Sequence, residues 1–566
     1  MDLLKEAAYE ANSIWKQIGR PRQGLVFDKR QKTRLQYRRK IREGQKLETE
    51  SYTNDLHALI SKNGGMFWKC WKSKFSSNNN KCGQVDGLVD DEAIAANFVK
   101  HFSSVFTCNN ASRKQALETE CNTLRRNYWG MPLPDDSRPN FDVELVSSVI
   151  DKLKRGKAAD LYGLTAEHLL FCHPVIAIIL SELFCLIMST RYVPSGFRYN
   201  YVVPVPKVKD CRTKAMSCDD FRAIAISPII SKLFEHCFLS KFQFMFGSTD
   251  NQFGFKQGVG CSHAIHTVHE IIKSAINKGN TVNLCAIDLS KAFDKVNHHA
   301  LLIKIMKRKV PVVLLELLEN LLFESYSCIK WNCVMSDFFT VNLGVRQGSV
   351  LSPYLFAIYV NDVDCSRTGC HVILYADDIL LIAPTITQLE TLLHRCETEL
   401  LWLDMVINFK KSCCLRVGPR FNVPCAQINS LHGQTLSWVK EIKYLGIHLV
   451  NSSTMKCDLS HAKSCFYRGA NEIFGKIGRI ASVNVTLELI QSKCVPALLY
   501  GLEVLPLNKT QLNSLDFVVN RFFMKLFRTN DMHIISTCQD MFGFDLPSVQ
   551  LERRRRRFLV KFGNCK

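Results

Sequence analysis

Two apolar runs, Val372 to Tyr375 and Ile379 to Ile382, are separated only by Ala376, Asp377 and Asp378. Runs this short and this close read as an antiparallel hairpin, with the two carboxylates at its tip. Adjacent like charges repel, and an apolar surround makes ionising both costlier still. A divalent cation resolves that conflict. A second short apolar run, Val282 to Ile287, fits a buried strand and is followed at once by Asp288. If these strands lie side by side, Asp288 and Asp377 meet at one end of a sheet and can share two Mg²⁺ ions. Such a metal pair activates a hydroxyl and stabilises a leaving oxygen in an in-line displacement. The plain alternatives are a surface turn for the doublet and a helix N-cap for Asp288.

The rest of the chain narrows the setting. At 566 residues it is too long for a single core, and its 47% hydrophobic content is that of a folded protein. A net charge of +21 points to a polyanionic partner, nucleic acid first. The 24 cysteines are scattered, many within apolar runs (Cys172, Cys185, Cys237, Cys285), and no Cys-x-x-Cys pair occurs. That distribution excludes a zinc ribbon and argues for reduced thiols in an intracellular compartment. Met1 to Ala11 has no apolar core of a signal peptide. The most apolar stretch, Val175 to Met188, is too short to span a bilayer and reads as a buried helix, so no membrane partner is expected.

Up to about Phe75 the chain is dense in basic residues, among them Arg20, Arg22, Lys29, Arg30, Lys32, Arg34, Arg38, Arg39, Lys40 and Arg42. Tyr37, Phe67, Trp68 and Trp71 are interleaved, a mixture that suits phosphate contact plus base stacking. Polar stretches at Ser76 to Gln84 and around Asn109 to Pro139 read as connectors. From Phe141 to about Phe527 strand-like and helix-like patterns alternate. Thr387 with Glu390 reads as a capping box, and behind it Leu389, Leu392, Leu393, Cys396, Leu400 and Leu403 share one helical face. The run Arg553 to Arg557 is either a nucleic-acid grip or a charged helix end.

The ordered set around the carboxylates resembles the reverse transcriptases of non-LTR (LINE-type, jockey-like) retrotransposons. Asp288 to Asp294 (Asp-Leu-Ser-Lys-Ala-Phe-Asp) looks like their first catalytic palm motif, and Tyr375 to Asp378 like the second. Gly344 to Pro353, which contains Arg346-Gln347-Gly348, is similar to their template-gripping motif. Asn408 with Lys411, then Tyr444-Leu445-Gly446, resemble the later palm motifs. Gln252-Phe253-Gly254-Phe255 looks like the fingers-to-palm segment, and Val203 to Lys207 with Phe221 to Ile224 like the fingers strands. Gly156 to Ala159 with Gly163 to Glu167 matches the first finger block, and Trp15 to Gly24 the linker that follows an endonuclease. Tyr500 to Glu503 lies where such proteins have a thumb helix. Tyr162 and Ala223 depart from the usual acidic residue and proline.

The resemblance implies an α+β, right-hand polymerase with a basic N-terminal extension at 1–140. Fingers are then expected at 141–278, palm at 279–450, thumb at 451–527 and a basic tail at 528–566. It implies an RNA-directed DNA polymerase using dNTPs with Mg²⁺, or Mn²⁺ in its place. Asp288, Asp377 and Asp378 are the expected catalytic metal ligands, with the Leu289 carbonyl beside them. Phe293 is expected beneath the incoming sugar, and Lys207 and Arg222 at the triphosphate. Gln347 and Gly348 are expected against template and nucleotide, and Lys411 as a proton donor to pyrophosphate. The implied partners are template RNA, primer DNA and a nuclease acting in cis or trans, in the nucleus and cytoplasm. Neither an endonuclease nor a Cys/His knuckle is recognisable, which reads as a fragment or a truncated copy. The competing readings are a non-catalytic nucleic-acid-binding relic and an intron-encoded maturase, for which 528–566 is short.

Overall fold

The computed structural model describes residues 2–62, 82–132, 141–207, 215–363, 369–477 and 481–564. Phe67, Trp68 and Trp71, and most of the stretch from Ser76 to Gln84, lie outside the described residues. The chain divides into two compact units, Asn79–Asp458 and Met1–Asn78 with Leu459–Lys566.

The larger unit holds the sheets. Its strands are β1 (Tyr199–Pro206), β2 (Phe221–Ile226), β3 (Val282–Ile287), β4 (Ser325–Trp331), β5 (Val334–Met335), β6 (Phe339–Val341) and β7 (His371–Tyr375). They continue with β8 (Asp378–Ala383), β9 (Cys413–Val417), β10 (Ile428–Asn429), β11 (Thr435–Trp438), β12 (Glu441–Tyr444), β13 (Ile447–Val450) and β14 (Lys456–Cys457). One sheet runs β2-β1-β4-β5 with β6 also on β4, and the second runs β10-β11-β9-β3-β8-β7. A small meander, β12-β13-β14, completes the unit.

The second sheet is central because its inner strands are apolar on both faces. Val282, Leu284, Cys285 and Ile287 of β3 and Ile379 to Ala383 of β8 are all buried. Continuous apolar runs of this kind need cover on both sides. The helices Cys261–Asn277 and Ile386–Trp402 pack on these strands. On the latter helix Leu389, Leu392, Leu393, Cys396 and Leu400 turn inward, as their spacing predicts. Its cap differs from the expected Thr387–Glu390 box: Thr385 is the N-cap, its hydroxyl accepting from the Gln388 N–H at 3.2 Å. Glu390 instead accepts from Asn429 N–H.

One polar region folds differently from expectation, and a helix the sequence reading did not single out precedes it. Most of the supposed connector near Asn109 is a helix, Ala111–Arg126, anchored by buried Leu117 and Cys121 and packed on the helix His298–Lys307. Upstream, Asp91–Val105 is a helix capped by Asp90 that lays Ile94, Phe98 and Phe102 on the first sheet. Residues 1–140, read as one extension, are thus shared between the two units. The apolar helix Val175–Thr190 buries Leu180, Phe184, Ile187 and Met188 but leaves Ile178, Ile179 and Leu186 exposed. No helix among the described residues is long and apolar enough to cross a membrane.

In the smaller unit the helices Asp2–Gln17 and Leu25–Lys62 form a hairpin. Trp15 Nε1 donates to Pro21 O at 2.9 Å, and the Arg30 guanidinium lies 3.6 Å over the Trp15 ring. This arrangement uses the Trp15 to Gly24 segment as a corner. The C-terminal part is helical, and Arg553 to Arg557 fall within the helix Pro547–Asn564. Arg553 pairs with Asp545 and Arg556 with Glu552. Tyr500 to Glu503, expected in a thumb helix, forms a turn and the start of a short 3₁₀ segment, because Gly501 adopts φ +70° after the helix Val495–Leu498.

Candidate active site

The hairpin tip is built under strain. Tyr375 pairs with Asp378, so Ala376 and Asp377 alone make the turn. Ala376 has φ +55°, a left-handed conformation that costs an L-residue roughly 1–2 kcal/mol. Fully buried Gln252 offsets that cost: its Oε1 accepts from Ala376 N–H at 3.1 Å and from Gly254 N–H at 2.9 Å. Phe253 N–H donates to Leu374 O, and Leu374 N–H to Asn251 O, so this segment lines up as an extra strand beside β7. Only glycine fits at 254, because a Cβ there would lie 2.5 Å from Ala376 N. Gln252→Ala leaves two buried N–H groups without an acceptor. It is expected to lower stability by about 2–3 kcal/mol, read as a shift in the denaturant midpoint.

Register then brings the acids together. β3 and β8 are antiparallel with Ile287 opposite Ile379, so one further step sets Asp288 level with Asp378. Asp288 is held through its backbone: its N–H donates to Ser412 Oγ at 3.1 Å, and its carbonyl accepts from Asn408 N–H at 2.8 Å. Ser412 Oγ in turn donates to Asn408 O, which stitches β3 to the loop before β9. Partial burial raises the Asp377 carboxyl, with Asp288 adding to the rise and Arg222 opposing it. Partial burial and the charges of Asp377 and Asp288 push Asp378 up to about 6. The excess negative charge felt by both groups is the electrostatic setting that a divalent cation relieves.

A cleft of about 440 Å³ opens beside these acids. Its walls include Lys207, Arg222, Asp288, Leu289, Phe293, Gln347, Asp377 and Lys411, eight residues expected at the site from sequence. Asp378 and Gly348 are not on the wall. Asp378 starts β8 directly after Asp377. Gly348, at φ +135°, packs on β2, where a Cβ would lie 2.3 Å from Ala225 O. Its role is the close approach of the 344–353 loop to the first sheet, fixed by the Ala225 N–H donating to Gln347 O.

The basic wall is organised by an acid. Arg222 projects from β2 opposite Val205, and Lys207 follows β1. Lys207 Nζ donates to Asp219 O at 2.6 Å, and Lys291 Nζ lies 3.0 Å from Asp219 Oδ1. Partial burial and then Lys291 lower the Lys207 ammonium. Lys411 Nζ sits 3.6 Å from Asp288 Oδ2. Sequence reasoning missed His101, Phe102 and Asp219, which also line the cleft. It also missed Glu235, which accepts from Ser349 Oγ and from the Val350 and Leu351 N–H groups, so fixing the motif at 344–353. The helical spacing of Ile94, Phe98 and Phe102 was the one local signal for the helix that brings His101 and Phe102 to the cleft.

Sheet order, carboxylates and basic cleft together have the make-up that nucleotidyl transfer through divalent metals requires. Residues 205–449 match the family model described as reverse transcriptase (RNA-dependent DNA polymerase). The chain is similar to RNA-directed DNA polymerases of transposons and mobile elements, jockey among them. It is 24% identical over 508 residues to the probable RNA-directed DNA polymerase from transposon BS of Drosophila melanogaster, covering 84% of this chain and 54% of that protein. It is 22% identical over 590 residues to the RNA-directed DNA polymerase from mobile element jockey of Drosophila funebris, covering 93% and 62%. The chain therefore spans between half and two thirds of these relatives. A solved telomerase from Candida albicans superposes with a TM-score of 0.34 at 10% identity, covering 84% of this chain and 86% of that one.

Proposed function

We propose that this chain extends a DNA 3′-end on an RNA template, consuming dNTPs, as the polymerase step of target-primed retrotransposition. The observation that carries the reading is the meeting of Asp288, Asp377 and Asp378 at one sheet end, beside a cleft walled by Lys207 and Arg222. The three carboxylates, with the Leu289 carbonyl, would hold Mg²⁺, which when bound supplies Lewis-acid activation of the hydroxyl and charge relief at the leaving group. Mn²⁺ suits the same oxygen donors.

The protein's own groups do the positioning. Arg222 and Lys207 bring positive charge to the triphosphate, and the Arg fork can bind it in bidentate fashion. Phe293 supports the sugar, while Gln347 faces the template–nucleotide pair. Lys411, held beside Asp288, is placed to give its proton to the pyrophosphate as it leaves. A nuclease in cis or trans would supply the primer end. Primer extension on oligo(dT)·poly(rA) with purified chain, dTTP and Mg²⁺ tests the reading, and a folded, template-bound chain that adds no dTMP would contradict it.

The basic helix Leu25–Lys62 supports an RNA contact independent of sequence. Replacing Arg34, Arg38 and Arg42 with Gln should reduce the slope of log affinity against log salt by about 2, since each phosphate contact contributes roughly 0.7 on a single strand. An unchanged slope would make the helix a solvated face.

A further inference from the structure

A buried acid on the cleft wall has no part in the mechanism above. Asp294, 9% exposed, lies on the cleft wall next to Phe293. Gln347 Nε2 donates to its Oδ1 at 2.7 Å. The two loops are also joined by backbone: Val345 N–H donates to Phe293 O, and Gly344 N–H to Val296 O. On its other side Gln347 O accepts from Ala225 N–H of β2. Gln347 is therefore tied to the first sheet through its backbone and to the segment after β3 through its amide.

We propose that Asp294 is a positioning residue that fixes the Gln347 amide so that its carbonyl oxygen, not its NH₂, faces the cleft as an acceptor for the template–nucleotide pair. An ionised carboxylate can only accept, so it selects the amide rotamer whose Nε2 points toward it. Burial raises the Asp294 carboxyl to about 6, while the Gln347 N–H and Lys291 hold it down, leaving it ionised at neutral pH. A buried carboxylate is costly to keep, and the side chain that donates to it here is the one placed to meet the substrate. The inference rests on the polymerase reading above.

The test is single-nucleotide incorporation on an RNA template by Gln347→Glu, Asp294→Asn and the double variant, each with a thermal melt at pH 8. Gln347→Glu sets two carboxylates against each other and should lose about 100-fold in kcat/KM. Asp294→Asn frees the amide to flip and should lose about tenfold, while its melting temperature rises because a buried charge is gone. In the double variant the amide introduced at position 294 donates to the carboxylate introduced at position 347, whose second oxygen again faces the cleft. Activity should return to within about tenfold of wild type. Losses that multiply in the double variant, or a Gln347→Glu chain at wild-type rate, overturn the proposal. An Asp294→Asn chain that melts earlier and loses activity in proportion also overturns it, since Asp294 would then be structural. Failure of the wild-type chain to extend any primer would count against the polymerase reading instead.

Discussion

Asp377→Asn should abolish dNTP incorporation, by at least about three orders of magnitude, while primer–template affinity stays within about twofold. The substitution keeps the size of the side chain and its place in the turn, so the hairpin clamp by Gln252 survives. It removes the charge that sits at the tip of β7 and β8, within the field of Asp288 and beside Arg222. On the proposed reading phosphate binding falls to Lys207, Arg222 and the basic surface, none of which changes. The melting temperature of the variant should hold or rise, because a carboxyl raised by partial burial is destabilising when ionised. The sign follows from linkage: an acid whose folded pKa is raised loses stability as pH climbs through that range. Incorporation at near wild-type rate would remove Asp377 from the chemistry.

The second large effect concerns the sugar. Phe293 stacks on Phe356 with centroids 4.4 Å apart and planes 12° from parallel, and meets Phe255 edge-on at 5.9 Å. One face of the ring is therefore committed to the core while the side chain still lines the cleft. A ring fixed in this way cannot yield to a ribose 2′-hydroxyl, and overlap at a packed contact is costly. Phe293→Val or Phe293→Ala should raise rNTP use relative to dNTP by about 10- to 100-fold, equivalent to roughly 1.4–2.7 kcal/mol of discrimination. Loss of the Phe356 stack should also lower stability by about 1–3 kcal/mol. Ratios of kcat/KM for the two sugars on one primer–template, set beside a melt, separate these effects. A fixed ratio with a lower melting temperature would make Phe293 a core residue only.

What could be read from the sequence was what short-range pattern encodes. β3 is apolar apart from Asn283, and Val372–Tyr375 and Ile379–Ala383 are unbroken apolar runs joined by a short turn, so both the hairpin and the place of Asp288 were legible. The face from Leu389 to Leu400 followed from helical period alone. The cap of that helix did not, because Thr385–Gln388 and Thr387–Glu390 present the same spacing two residues apart. Ala111–Arg126 was hidden by its polarity, since it buries little beyond Leu117 and Cys121. The basic wall of the cleft was half legible. Lys207 and Arg222 lie in recognisable strands, but His101, Asp219 and Lys291 meet only through folding, across nearly 200 residues of chain. Gln252 carried no local sign that its amide would hold the turn 124 residues away.

We propose that three carboxylates from two strands form one divalent-metal centre for nucleotidyl transfer. Mn²⁺ binding, followed by electron paramagnetic resonance with a dideoxy-terminated primer on RNA and a matched dNTP, measures it directly. Two tightly bound ions per chain are expected, displaced by Mg²⁺, with at least one lost in Asp288→Asn. Equal Mn²⁺ stoichiometry and affinity in the wild-type chain and in Asp288→Asn would contradict it.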